Sequence, residues 1–349
     1  MLLSLFKKSG LMNKKIKFKL WHLLAVSALL IALFLPLPVY IDAPGAAQDT
    51  SSYVKVKGHR DNTPGKFMLV YVKQVKATPV TWVLTFANKY ADRVPAQQEV
   101  GNYSDKEMQR IQTYYMSSSI AEAKYRSLTM AGADVKRRYI GLYVMSVLKD
   151  SNFADKLRVG DVVTRVNGKH YNNSYEYIQA IKQISPDQKV RLTYLRGKKQ
   201  KNTAGKLIRL PNSSRHGLGI TLTDRVKTSS DVPITANMEG IGGPSAGLML
   251  TLQMYTQLSH KDLLRGRQVA GTGTIESDGS VGQIGGIEQK VVSANKAKAE
   301  IFFAPNNQKL GKQDNYLVAK KTATEINSNM KIVPVKNVNQ AVSYLQNNK

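Results

Sequence analysis

From Trp21 to Tyr40 the chain runs for twenty residues without a formal charge, WHLLAVSALLIALFLPLPVY, and Lys7, Lys8, Lys14, Lys15, Lys17 and Lys19 precede it with no acid among them. A helix of that length at ~1.5 Å per residue covers the ~30 Å hydrocarbon core of a bilayer. The run therefore reads as a transmembrane anchor over 21–40 behind a cytoplasmic basic tail over 1–20. The lysines place that tail inside the cell membrane and everything after Asp42 outside it. Pro36 and Pro38 fall near the far end, where lost helix hydrogen bonds cost least. A cleaved signal peptide is the other reading. Its apolar region is usually ~7–15 residues long, and only Ala43, Gly45, Ala46 and Ala47 offer a cleavage site here.

The charge balance agrees with that location. Fifty-one Lys and Arg against 24 Asp and Glu give +27, and six lysines precede the apolar run, leaving +21 beyond them. Outside the cytoplasm such an excess suits an anionic membrane or cell wall surface. No zinc-finger spacing or aromatic-interleaved basic motif points to nucleic acid. The absence of cysteine excludes disulfides, thiolate metal sites and a thiol nucleophile. With five His and no His-Glu-x-x-His, no metal and no cofactor are expected. A length of 349 residues suits two or three domains.

After a small, polar linker over 43–60, KFMLVYVKQVKA and TPVTWVLTFA run apolar and β-branched on either side of Pro79 and read as paired strands. Residues 105–133 space Met108, Ile111, Tyr115, Ile120 and Ala123 helically, giving a helical connector. The role of 41–135 stays open. Residues 139–210 read as strand, strand, turn, helix, strand and strand, with LRVGDVVTRVNGKHY a strand pair broken at Asn167-Gly168. The fold class expected is α+β, in several domains. Leu157, Gly160-Asp161, Val166-Asn167-Gly168 and the opening Gly141-Leu142 resemble the PDZ domains attached to bacterial proteases. The resemblance implies a PDZ-like module over 136–211 that adds an extended peptide beside the strand of Gly141, Leu142, Tyr143 and Val144.

The chemistry concentrates further on. In NMEGIGGPSAGLMLTLQMY, Ser245 stands between a glycine-rich turn and a helical run. Gly242 and Gly243 permit unusual dihedrals, Pro244 suits a helix start, and Ala246 and Gly247 keep side chains clear. Unpaired N–H groups at a helix N-terminus can stabilise an oxyanion. The helix behind, with Leu248, Leu250, Leu252, Met254 and Leu258, is apolar all round and expected to be buried. Read blandly, the serine is only a helix cap. In GTGTIESDGSVGQIGGIEQKVVSANKA a strand passes a hairpin at Asp278-Gly279, turns at Gly285-Gly286 and enters a helix carrying Lys290. The dipole at a helix start and burial both disfavour an ammonium, and a neutral lysine can take a proton from a serine hydroxyl. Lys296 and Lys298 read as solvated.

Together these segments resemble the proteolytic domain of Lon-type serine proteases, whose Ser-Lys dyad lies in Gly-Pro-Ser-Ala-Gly and Ile-Gly-Gly-hydrophobic-x-x-Lys motifs. The chain looks most like the membrane-anchored, PDZ-containing Lon-type proteases of Gram-positive bacteria. The resemblance implies a protease domain over 212–349, with Ser245 as nucleophile and Lys290 as general base. It implies that Thr272 fixes the lysine amine, with Gly243, Pro244 and Ala246 supporting the serine. It also implies an ATP-independent endopeptidase acting on exported peptides or membrane-protein segments, and a possible homo-oligomer. No G-x-x-x-x-G-K-[ST] is present, so energy-driven unfolding is not expected. Many Lon enzymes place an acid three residues before the serine, where this chain has Gly242; Glu239 is the nearest upstream. A histidine mechanism through His260 or His216 with Asp278 lacks a motif to aim it. A non-catalytic membrane scaffold with a Lon-like fold is the alternative function.

Overall fold

The computed structural model describes residues 14–59 and 64–348. Most of the basic tail, residues 1–13, lies outside the described residues. The chain divides into two compact units, one of residues 1–44 with 72–101, the other of 45–71 with 102–349. The first elements in chain order are α1 (Lys14–Phe34), β1 (Val39–Asp49), β2 (Val54–Val56), β3 (Lys66–Lys76), α2 (Pro79–Leu84), β4 (Asp92–Pro95) and α3 (Ala96–Glu99).

In the first unit the run expected over 21–40 is corrected in its bounds: the helix is Lys14–Phe34. Among the described residues no helix is long and apolar enough to cross a membrane. Pro36 and Pro38 stop α1 at Phe34, and Val39 already opens a strand. The strand expected over TPVTWVLTFA is also corrected, because it folds as the helix α2. Thr78 caps it: its hydroxyl accepts the Thr81 N–H and the Thr81 hydroxyl accepts the Thr78 N–H, while Pro79 supplies the helical φ at the first position. That local chemistry outweighs the β preference of Val80 and Val83. β1 pairs antiparallel with β4, Ile41 opposite Arg93, over a small core of Ile41, Ala77 and Ala91.

The second unit continues with α4 (Asp105–Met130), β5 (Lys136–Val147), β6 (Val162–Val166), α5 (Ser174–Lys182), β7 (Lys189–Arg196), β8 (Lys199–Lys206), β9 (Ile208–Arg209), β10 (His216–Gly217), β11 (Ile220–Ser229) and β12 (Ile234–Ala236). It ends with α6 (Gly247–Ser259), β13 (Gln268–Gly271), α7 (Ile287–Lys296), β14 (Ile301–Pro305), α8 (Asn315–Glu325), β15 (Lys331–Val335) and α9 (Val338–Asn347). Ser104 and Glu107 form the capping box that starts α4.

Strands in the order β11-β5-β6-β7-β8 make an antiparallel sheet around Leu142, Val144, Phe153, Val163, Tyr177 and Leu192. The strand pair expected across Asn167-Gly168 reduces to one bridge, Val166 to Lys169: the two turn residues sit at the positive φ of a hairpin turn, but the chain leaves for α5 a few residues later. Asp161, with no exposed surface, is held by the Arg158 N–H at 3.0 Å and by both arms of Arg196 at 2.9 and 2.7 Å.

Besides the short antiparallel pairs β9–β10 and β2–β12, the strands β15-β14-β13-β3 pair in parallel in that order. Alternate residues face opposite sides. Phe67, Leu69, Val269, Phe303, Val333 and Val335 join a core with residues of α4, α6 and α9, whereas Met68, Val70, Ala270, Phe302 and Ala304 join another with residues of α7 and α8. Helices thus cover both faces, and the expected α+β class becomes mixed α/β, as a parallel sheet buried on both sides requires.

Candidate active site

The serine segment is built by close approach. Gly243 adopts φ +82° and donates its N–H to the Gln112 carbonyl of α4 at 3.1 Å. About two turns further along α4 the Ser119 hydroxyl donates to the Pro244 carbonyl, also at 3.1 Å. A Cβ on Gly247 would lie 2.7 Å from Ile275 and 2.9 Å from Ser119, so only glycine admits this packing. Ser245 is thereby held half-buried just before α6, next to the buried Ala246. The α6 residues from Gly247 to Gln257 are buried; the Thr251 hydroxyl donates to the Gly247 carbonyl at 2.8 Å, whereas the Thr256 hydroxyl has no partner among the described residues. Gln253 accepts the Thr50 hydroxyl at 2.7 Å and Gln257 accepts the Val56 N–H at 3.1 Å.

Two elements bring the lysine to the same place. Gly286, at φ 65°, starts α7, and Lys290 lies in its first turn with 4% of its surface exposed. From β13 the chain enters Thr272, which has no exposed surface. Its hydroxyl donates to the Ser245 carbonyl at 3.1 Å and accepts from the Lys290 Nζ at 3.3 Å. The Gly273 N–H adds a second bond to the Ser245 carbonyl at 2.9 Å. Burial pushes the Lys290 amine down from 10.5 to about 7, so the free base is populated near neutrality. The helix-start dipole weighed from the sequence acts in the same direction; burial is the cause that the structure makes explicit.

The histidines lie elsewhere. His260 follows the last residue of α6, a 13-residue helix whose other end adjoins Ser245, which separates them by ~20 Å along the axis. It stacks on His59, with a ring-nitrogen contact of 3.1 Å. His216 belongs to β10, paired with β9, and Asp278 accepts from the Ser280 N–H and hydroxyl.

The peptide-binding strand expected at Gly141, Leu142, Tyr143 and Val144 is corrected. Those residues lie inside the sheet: Leu142 and Tyr143 pair with Val163 and Val162 of β6, and all four pair with β11, from Gly141 opposite Arg225 to Val144 opposite Leu222. Both hydrogen-bonding edges are taken, so the sheet edge on that side is β11. The buttressing by Gln112 and Ser119 escaped the sequence reading as well. Only the small residues Ala246 and Gly247 hinted that another backbone passes close to Ser245.

Residues 128–207 match the PDZ domain family, and residues 201–347 match the Lon protease (S16) C-terminal proteolytic domain. The Lon protease of Aster yellows witches'-broom phytoplasma is 24% identical over 165 residues, 44% of this chain and 20% of that protein. The chain thus spans about a fifth of that relative's length. Among solved structures, the PDZ domain of the SdrC-like protein from Listeria monocytogenes is 36% identical, covering 24% of this chain and 88% of that chain with a TM-score of 0.23. The PDZ domain of the SdrC-like protein from Listeria innocua is 30% identical, covering 24% of this chain and 92% of that chain with a TM-score of 0.23.

Proposed function

Because the chain carries a PDZ domain followed by the C-terminal proteolytic domain of Lon proteases, we propose that it is a membrane-anchored, extracytoplasmic serine endopeptidase working through Ser245 and Lys290. The observation that carries this reading is the single Thr272 hydroxyl that joins a buried lysine amine to the backbone of Ser245. Lys290, as the free amine, takes the Ser245 hydroxyl proton while Oγ attacks the peptide carbonyl carbon. The amides of Ser245 and Ala246 are assigned to the oxyanion, at the open start of α6. The resulting ammonium returns its proton to the leaving amine, and water, deprotonated by the same lysine, releases the acyl group.

Anchoring rests on α1. Phe18, Leu20, Trp21, Leu23, Leu24, Val26, Leu29, Leu30, Ile31, Leu33 and Phe34 are all exposed, a surface that water does not favour, and lysines precede it. The charge asymmetry supports a cytoplasmic N-terminus with the protease outside. Substrates are then exported peptides or accessible membrane-protein segments, met without ATP, and capture by strand addition falls to the edge of β11. The anionic membrane or wall attracts the basic exterior, and assembly of several copies is part of the same reading.

The test compares peptides released by cells that carry the wild type and Ser245→Ala, with protease added to intact protoplasts. Peptides that vanish in the variant, and digestion of residues 50–349 from outside, support the reading. Identical peptide profiles would favour the scaffold, and full protection would reverse the topology.

A further inference from the structure

Helix α2 has the sequence PVTWVL and yet buries none of its residues. Trp82, Val83, Leu84 and, just beyond, Phe86 are 38%, 60%, 63% and 64% exposed. Elsewhere, apart from α1 with the adjoining Leu35 and the nearby Val75, the exposed large apolar side chains among the described residues are scattered: Leu148, Tyr175, Ile178, Leu310 and Leu317. A contiguous patch of this kind on a soluble surface marks an interaction site.

Three observations say what covers it. The α2 segment packs against α1, so its apolar surface continues that of the exposed apolar helix. Its backbone is closed on itself: Trp82 N–H bonds Thr78, the Thr85 N–H reaches the Thr81, Trp82 and Val83 carbonyls, and the Thr85 hydroxyl bonds the Trp82 carbonyl at 2.6 Å. Such closure is what a low-dielectric neighbour demands. Aromatic rings and cations then border the patch. Trp82 stands edge-on to Phe86, the Arg93 guanidinium lies 4.1 Å from the Phe86 ring, and Lys89 and Lys76 lie over Tyr90 and Tyr40. Amphipathic rings and long basic side chains are the groups that settle at a bilayer's headgroup level.

We propose that the α2 segment, residues 79–87, is a second membrane contact: Trp82, Val83, Leu84 and Phe86 dip into the interface of an anionic bilayer while Lys76, Lys89 and Arg93 meet its headgroups. This extends the anchoring reading above, and the two are separable because the chain has one tryptophan in each element, Trp21 in α1 and Trp82 in α2.

The experiment uses the full chain with Trp21→Phe, leaving Trp82 alone, reconstituted into vesicles of phosphatidylglycerol and phosphatidylcholine. Trp82 emission should shift to the blue, be quenched by phosphatidylcholine brominated high on its acyl chains, and become several-fold less sensitive to acrylamide. Leu84→Ser with Phe86→Ser should reduce the lipid quenching. Phosphatidylcholine alone should give weaker quenching than the anionic mixture. Emission that stays acrylamide-sensitive and insensitive to brominated lipid would overturn the proposal. So would shielding from both quenchers, which would mean that protein, such as a second copy of the chain, covers the patch. The Trp82→Phe chain reports Trp21 separately. Trp82 in lipid with Trp21 in water would sink the anchor and leave this contact standing, and the reverse would sink this contact alone.

Discussion

Replacing Lys290 by methionine should abolish the proposed peptidase activity and stabilise the fold, and the size of the second effect follows from the site. Lys290 is 4% exposed, and burial moves its amine from 10.5 to about 7. Because the folded value is depressed, the unfolded chain binds the extra proton, and the native state carries a penalty. That penalty is complete below about pH 7, where both states are protonated, and it lifts as pH climbs from about 7 toward 10.5. At about 1.36 kcal/mol per pH unit the interval corresponds to about 5 kcal/mol. Methionine has similar length and no charge to desolvate. It forfeits the bond to Thr272, worth about 1 kcal/mol, so Lys290→Met should gain about 3 kcal/mol at pH 7.5. Thermal unfolding should then rise by roughly 6–12 °C. Between pH 7.5 and 9 the advantage over wild type should shrink by about 2 kcal/mol, as the wild type sheds its penalty. Melting curves at both pH values measure this. A difference that does not change with pH would refute a neutral buried lysine, and a destabilised variant would refute the ledger behind it.

Three further changes probe the supports. Thr272→Val removes the hydroxyl between Lys290 and the Ser245 carbonyl; it should cost about 1–2 kcal/mol of stability and lower kcat while leaving KM near its wild-type value in peptide hydrolysis. Gly247→Ala pushes a methyl group into the Ile275 backbone and Ser119, so roughly 1–3 kcal/mol should be lost and turnover should fall as the serine segment shifts. Arg196→Ala leaves the Asp161 carboxylate buried without its charged partner; urea melts should show a loss of about 3 kcal/mol, with short-peptide hydrolysis unchanged at temperatures where the variant stays folded.

Part of this architecture was legible in local chemistry. Glycines around Ser245 and Gly285-Gly286 before Lys290 announce tight turns into helices, because few other residues take those dihedrals. The strand Lys66–Lys76 and the helix Asp105–Met130 follow from periodicity, whereas the strand expected to start at Gly271 and run to the Asp278-Gly279 turn instead covers Gln268–Gly271 and ends there. What escaped depends on distant partners or on short-range competition. The β-branched TPVTWVL segment suggests a strand until the reciprocal caps of Thr78 and Thr81 are weighed. The long helix α4 reads as a connector, since its contacts with the serine loop are a backbone carbonyl at Gln112 and a serine hydroxyl at Ser119, neither of which leaves an apolar period. β11 pairs with β5, some eighty residues earlier, so which strand forms the sheet edge cannot be read from the motif at Gly141.

The most direct test of the Ser245–Lys290 pair is the pH dependence of fluorophosphonate labelling on the full chain, with the modified residue located by peptide mapping. The label should fall on Ser245, at a rate that rises with pH through about 7 and levels off above it, following the Lys290 amine. Lys290→Arg and Lys290→Met should both remain folded and unlabelled, since a guanidinium keeps its proton and a thioether takes none. Labelling at another residue, or undiminished labelling of Ser245 in Lys290→Arg, would contradict the account.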